Sequence, residues 1–161
     1  MPAHVFITGP AEPSGALFVE PDGEVTCQAR VRNTGTIVDR FTIEVVGKAA
    51  SWVEVEPPVL SLFPDEEGEV TLRFTPPRAS HVSAGQVPFG VMVTSSEDHR
   101  STVAEAVLEV GAATEIFAEL IPRTSRGRRT GRHQLAIDNR GNVPVDLEIS
   151  STDRDGEMRV R

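Results

Sequence analysis

The 161-residue chain has few aromatic residues, almost no cysteine and little positive charge over its first three quarters. Each shortage narrows the function. Seven Phe, one Trp and no Tyr supply little for stacking sugars or nucleic-acid bases. The single cysteine, Cys27, excludes an internal disulfide, which points away from disulfide-stapled secreted domains and toward a reducing compartment. No stretch approaches the ~20 apolar residues of a membrane span. The opening Met1-Pro-Ala-His-Val-Phe-Ile-Thr lacks the basic and apolar regions of a Sec signal. A soluble, cytosolic polypeptide is the expectation for the residues given. Residues 1–122 hold 18 acidic and 7 basic side chains, whereas residues 123–161 hold 6 and 9. An acidic body is a poor match for phosphate backbones, so no nucleic-acid partner is expected.

What the chain does have is alternation. Val25, Cys27, Ala29 and Val31 interleave with Thr26, Gln28, Arg30 and Arg32, the period of a half-buried strand. The same pattern recurs at Phe41 to Val45, Trp52 to Glu56, Val59 to Phe63, Val70 to Phe74, Val87 to Thr94 and Val103 to Val110. Turn signals such as Pro21-Asp-Gly, Asn33-Thr-Gly and Pro76-Pro77 separate them. No segment sustains a helical period. The fold class expected is all-β, an immunoglobulin-like antiparallel β-sandwich.

An internal repeat sets the domain organisation. Gln28-Ala-Arg-Val-Arg-Asn-Thr-Gly aligns without gaps on Gln134-Leu-Ala-Ile-Asp-Asn-Arg-Gly, an offset of 106 residues. At that offset Ile37 meets Val143, Phe41 meets Leu147 and Ile43 meets Ile149. One immunoglobulin-type domain is about 100 residues long. Residues 1–112 are therefore expected to form one sandwich, with Gly111-Ala-Ala as linker. Residues 113–161 would be the N-terminal portion of a second, incomplete one. Its expected strands are Ile116 to Pro122, Arg132 to Asn139 and Val143 to Ser150. The shared Asn-x-Gly turn needs no catalytic explanation: the glycine is expected to supply a positive φ, and the Asn to bond its own backbone. Half a sandwich leaves an apolar face bare, so either the natural chain continues beyond Arg161 or another chain completes the sheet.

Catalytic and metal chemistry find little footing. His4, His81, His99 and His133 are scattered without zinc-ligand spacing. No Gly-x-Ser-x-Gly elbow occurs, and Cys27 falls on an apolar strand face, as a core residue would. The run Asp65-Glu66-Glu67-Gly68-Glu69 lacks the ligand pattern of a calcium loop and reads as a charged turn. No catalytic, cofactor-binding or metal-binding residue is assigned. The least ordinary feature is the basic segment with Arg123, Arg126, Arg128, Arg129 and Arg132 among Gly, Ser and Thr. These five are the candidate interaction residues, suited to an acidic protein surface or anionic head groups beside a membrane anchor.

Several of these stretches resemble a known family. Val31-Arg-Asn-Thr-Gly-Thr-Ile-Val-Asp, Trp52-Val-Glu-Val-Glu-Pro-Pro and Ala84-Gly-Gln-Val-Pro-Phe-Gly-Val form one series. With the Arg segment and Asp138-Asn-Arg-Gly-Asn-Val-Pro-Val, it is similar to an actinobacterial family of tandem immunoglobulin-like proteins, often labelled "hydrolytic protein". The resemblance implies a second sandwich, a membrane-spanning helix beyond it and, for some members, association with phage-tail-like contractile injection systems. It transfers no catalytic residue. The resulting expectation is a non-catalytic adaptor that binds such a particle and tethers it at the cytoplasmic face of the membrane through a C-terminal segment. Its rival is a carbohydrate- or cell-wall-binding accessory domain of an exported enzyme, for which the scarcity of aromatics is a poor start.

Overall fold

The computed structural model describes residues 3–8, 17–79, 81–124 and 131–150. In chain order they contain β1 (Ala3–Thr8), β2 (Leu17–Val19), β3 (Val25–Asn33) and β4 (Asp39–Gly47). A 3-10 turn over Lys48–Trp52 leads to β5 (Val53–Glu56), β6 (Val59–Leu62), β7 (Glu67–Phe74), β8 (Gly85–Ser95) and β9 (Ser101–Val110). Two further strands, β10 (Ile116–Ile121) and β11 (Gln134–Asn139), follow.

The first nine strands build two sheets, ordered β1-β3-β7-β5 and β2-β9-β8-β4-β6. Neighbours run antiparallel, except that β2 lies parallel to β9. These orders are those of the immunoglobulin sandwich, with β1, β3, β7 and β5 as one sheet and β4, β8 and β9 at the heart of the other. The all-β, immunoglobulin-like sandwich expected from alternation is the fold. Inward residues of both sheets make one core: Cys27, Ala29 and Val31 of β3, Val70, Leu72 and Phe74 of β7, Phe41 and Ile43 of β4, and Val91 and Val93 of β8. Each Val, Leu, Ile or Phe among them contributes about 1.5–3 kcal/mol when fully buried. The ring of Phe74 sits at the centre, 4.8 Å from Phe89 and 6.1 Å from Trp52.

Buried polar groups in this core are paired. The Ser95 hydroxyl donates to Asp39 Oδ2 at 2.5 Å and accepts from the backbone N–H of Glu97 and Asp98, which ties the β8–β9 turn to β4. Arg30 and Arg32, on the outer face of β3, reach Glu69 at 2.8 Å and Asp65 at 3.2 Å. The acidic run is thus divided: Asp65 and Glu66 lie in the turn that its composition suggested, whereas Glu67, Gly68 and Glu69 open β7 beside the basic residues of β3.

Three local expectations change. Strands β1 and β2 were not anticipated, since three residues at β2 are too few to show a period. Trp52 closes the 3-10 turn instead of opening a strand, and it is half-buried with its edge toward Phe74. Residues 143–150 form no strand. Their counterpart β4 is flanked by β6 and β8, and no equivalent neighbours exist among the described residues to satisfy such a backbone.

Candidate interaction surface

The second unit begins where the first sandwich ends, and the junction is fastened. Asn142 is buried; its side-chain amide donates to the Gly111 carbonyl at 2.8 Å, and its Oδ1 accepts from the Ala113 N–H at 2.7 Å. The Asn142 backbone carbonyl also accepts from the Ala84 N–H, and Arg78 reaches Glu115 at 3.6 Å. The expected linker is therefore clamped to both units. Gly141 belongs to this clamp: a Cβ there would run into the Ala113 carbonyl oxygen. That corrects the reason given for the shared glycine. Among the described residues the glycines with positive φ are Gly47 and Gly85; Gly141 is needed for close backbone approach.

The repeated Asn is a structural repeat as well. Asn33 Oδ1 accepts from the Gly35 N–H, and its amide donates to the Ile37 carbonyl. Asn139 Oδ1 accepts from the Gly141 N–H, and its amide donates to the Val143 carbonyl. Both are side-chain-closed turns with the same spacing, which is what Asn provides at such positions.

Beyond the junction, β10 and β11 pair antiparallel from Ile116 opposite Asn139 to Ile121 opposite Gln134. Phe117, Leu120, Ile121, Leu135 and Ile137 are all exposed, and Leu147 and Ile149 beyond the turn are 47% and 68% exposed. By the register Leu120, Leu135 and Ile137 share one face of the ribbon and Phe117 and Ile121 the other, so apolar side chains are bare on both faces, and exposure of this kind marks an association surface. Arg140 caps one end, with its guanidinium 5.0 Å from the Phe117 ring centroid and 2.9 Å from Asp138 Oδ2.

The candidate arginines divide. Arg123 and Arg132 are exposed at the open end of the β10–β11 hairpin, and Arg123 reaches Glu119 Oε1 at 3.2 Å. His133 Nδ1 lies 2.6 Å from the Pro122 carbonyl, bringing the two feet of the loop together. Arg126, Arg128 and Arg129 lie outside the described residues. The exposed apolar side chains of the ribbon, expected from sequence only as the bare face of half a sandwich, are the more extensive feature.

Elsewhere no reactive constellation appears among the described residues. No group of three His, Cys, Asp or Glu could hold a metal ion, and His4, His81, His99 and His133 are exposed and apart. Burial pushes the Cys27 thiol up to about 11, away from the thiolate that nucleophilic chemistry needs. A shallow groove of about 390 Å³ crosses the outer face of the five-stranded sheet at Gly90, lined by Val46, Val103 and Val107 with Glu105 as its one ionisable group. No helix among the described residues is long and apolar enough to cross a membrane.

No protein-family model matches the sequence, and no curated protein matches it. Solved structures do share the fold. The FixG-related protein from Vibrio parahaemolyticus is 14% identical, with a TM-score of 0.52 over 68% of this chain and 97% of that one. A family 123 glycoside hydrolase from Clostridium perfringens is 10% identical, with a TM-score of 0.50 over 68% of this chain and 27% of that one. At such identities the likeness concerns the immunoglobulin-like sandwich alone.

Proposed function

We propose that this protein is a non-catalytic adaptor that binds a larger assembly through its second unit. The observation that carries the reading is the exposed apolar face of Leu120, Leu135 and Ile137, with Leu147 and Ile149 also exposed beyond the turn, following a sandwich whose own core is closed. A rigid first domain with a bare second one is a physical arrangement for holding a partner. The exposed Arg123 and Arg132 add positive charge at one end, suited to an acidic partner surface.

The finer proposal rests on the resemblance of the sequence to tandem immunoglobulin-like actinobacterial proteins. In it the assembly is a contractile injection particle, and a segment beyond Arg161 holds the adaptor at the cytoplasmic face of the membrane. Affinity purification of the full-length protein from its host, with mass spectrometry of its partners, tests both levels. Sheath or tube subunits are expected to co-purify, and to be lost with Leu147→Lys and Ile149→Lys while the first sandwich stays folded. Recovery of the same partners by that variant would remove the apolar face from the mechanism. Recovery of wall polysaccharide instead would favour the carbohydrate-binding alternative. The protein is expected to hydrolyse no ester, peptide or glycoside; turnover abolished by one Ser, His or Asp substitution would overturn the non-catalytic reading.

A further inference from the structure

The two outer faces of the first sandwich carry their charge differently. On the four-stranded sheet Arg30 and Arg73 face Glu69 and Glu54 in register, at 2.8 and 3.3 Å. Such cross-strand pairs leave a solvated, charge-balanced surface. The five-stranded sheet is built otherwise. Its outward rows, read from β4 through β8 to β9, are Thr42, Thr94 and Ser101, then Glu44, Met92 and Val103, then Val46, Gly90 and Glu105. Pro88 with Val107 and Gln86 with Glu109 complete them. The charged residues of these rows are Glu44, Glu105 and Glu109, and none has an ion-pair partner among the described residues. Arg40, opposite Ser61 of β6, and Lys48, in the 3-10 turn, lie beyond the rows at either end of β4.

At the centre of these rows a side chain is missing. Gly90 is buried at an outward position because Val46 and Val103 lean over it: a Cβ there would lie 2.8 Å from Val103 Cγ1 and 3.0 Å from Val46 Cγ2. Its φ is not positive, so no turn geometry calls for glycine. A glycine inside a strand weakens it and marks a place where another group approaches closely. Here it floors the groove of about 390 Å³, with Val46, Val103 and Val107 as walls and Pro88 at one end. The three valines are exposed, and Glu105 stands directly opposite Gly90 in register. This space is not the bare half of an unfinished domain. Strands β4 and β9 are in place on both sides of β8, and the core beneath is closed.

We propose that this groove docks a cationic segment of another protein, with an apolar side chain seated over Gly90 and a Lys or Arg beside it on Glu105. The valine walls set the first requirement, and the unpaired carboxylates set the second. The sign of the charge excludes anionic head groups and nucleic acid from this face. A second copy docked face to face would set Glu44, Glu105 and Glu109 against their own counterparts, so like charge opposes self-association here. The inference goes beyond the association reading above, because it uses no residue of the second unit.

The probe is the synthetic peptide Ser-Arg-Arg-Leu-Arg-Arg-Ser. In one control Gln replaces each Arg, and in the other Ser replaces Leu. The peptides are titrated into the 161-residue protein with its valine methyl groups followed by NMR. The probe is expected to shift the resonances of Val46, Val103 and Val107 saturably, and both controls to bind at least about fivefold more weakly. Glu105→Lys is expected to weaken the probe at least about fivefold, with the effect reduced by added salt. Glu56→Lys, an equal change of net charge on the other sheet, is expected to leave binding within about twofold. Gly90→Ala places a methyl group on the groove floor and is expected to remove the shifts; should it disturb the amide spectrum of β8 and β9, the comparison of Glu105→Lys with Glu56→Lys decides. The proposal is overturned if the three valines do not respond, or if either control shifts them as strongly as the probe. Equal weakening by Glu56→Lys and Glu105→Lys also overturns it, since net charge alone would then be the attraction. So does a dimer in sedimentation whose formation shifts the same valines without peptide.

Discussion

The two halves of this molecule start from one pattern and reach opposite states. Strand β3 and strand β11 share their alternation and their Asn-x-Gly turn, and each pairs with a strand that precedes it. Yet Ala29 and Val31 are sealed while Leu135 and Ile137 lie open. The difference lies in the neighbours that each strand has among the described residues. β3 gains β7 on its free edge and β4 and β8 across its face; β11 gains neither among the described residues. A strand's alternation specifies a face to be covered, and the covering is a non-local event.

The largest test of that contrast is a pair of truncations. Phe74→Ala, beneath Trp52 and Phe89, is expected to cost about 3–5 kcal/mol in chemical denaturation. Leu135→Ala, on the open face, is expected to change stability by less than about 0.5 kcal/mol. A comparable loss at both positions would mean that β11 is already covered. Next come the paired asparagines. Asn33→Ala strips three bonds and orphans the Leu62 carbonyl, for an expected loss of about 2–3 kcal/mol. Asn139→Ala removes two bonds at a half-buried turn and should cost about 1 kcal/mol or less. Equal costs would show that the Leu62 bond is not what separates them.

A smaller effect is expected at high pH. The Cys27 thiol, raised from its ordinary 9.0 to about 11 by burial, stays protonated in the folded state after the unfolded chain has begun to ionise. Its contribution is full below about pH 9 and is lost as pH rises toward about 11. Cys27→Ala is therefore expected to flatten the fall in stability across that window, measured by denaturation at each pH. An unchanged slope would remove the thiol from the alkaline transition. Smallest is the Trp52 signal. Half-buried against Phe74, it is expected to emit between a hydrated and a fully buried indole, and to shift toward the hydrated value in Phe74→Ala. Emission of a fully hydrated indole in the parent protein would contradict the ring contact.

How much was legible follows from where each signal resides. The strands of the first sandwich from β3 to β9 could be read, because each turns one apolar side inward and the period survives in the string of residues. The Asn-x-Gly repeat could be read because a side-chain-closed turn depends on five neighbouring residues. Strand β2 escaped notice, and so did the Asn142 clamp, since nothing local distinguishes that Asn from any other turn residue. The candidate Arg segment drew attention by composition, while the open edge of β11 had no compositional mark.

Sequence by itself determined the alternation, the two copies of one turn and hence the immunoglobulin-like class, since these depend on residues a few positions apart. Only tertiary structure decided which copy closed. Pairing of β3 with β7 joins residues about forty positions apart, and burial of Val31 but not Ile137 depends on whether such a distant strand is at hand. No local propensity encodes that, because it belongs to the neighbour.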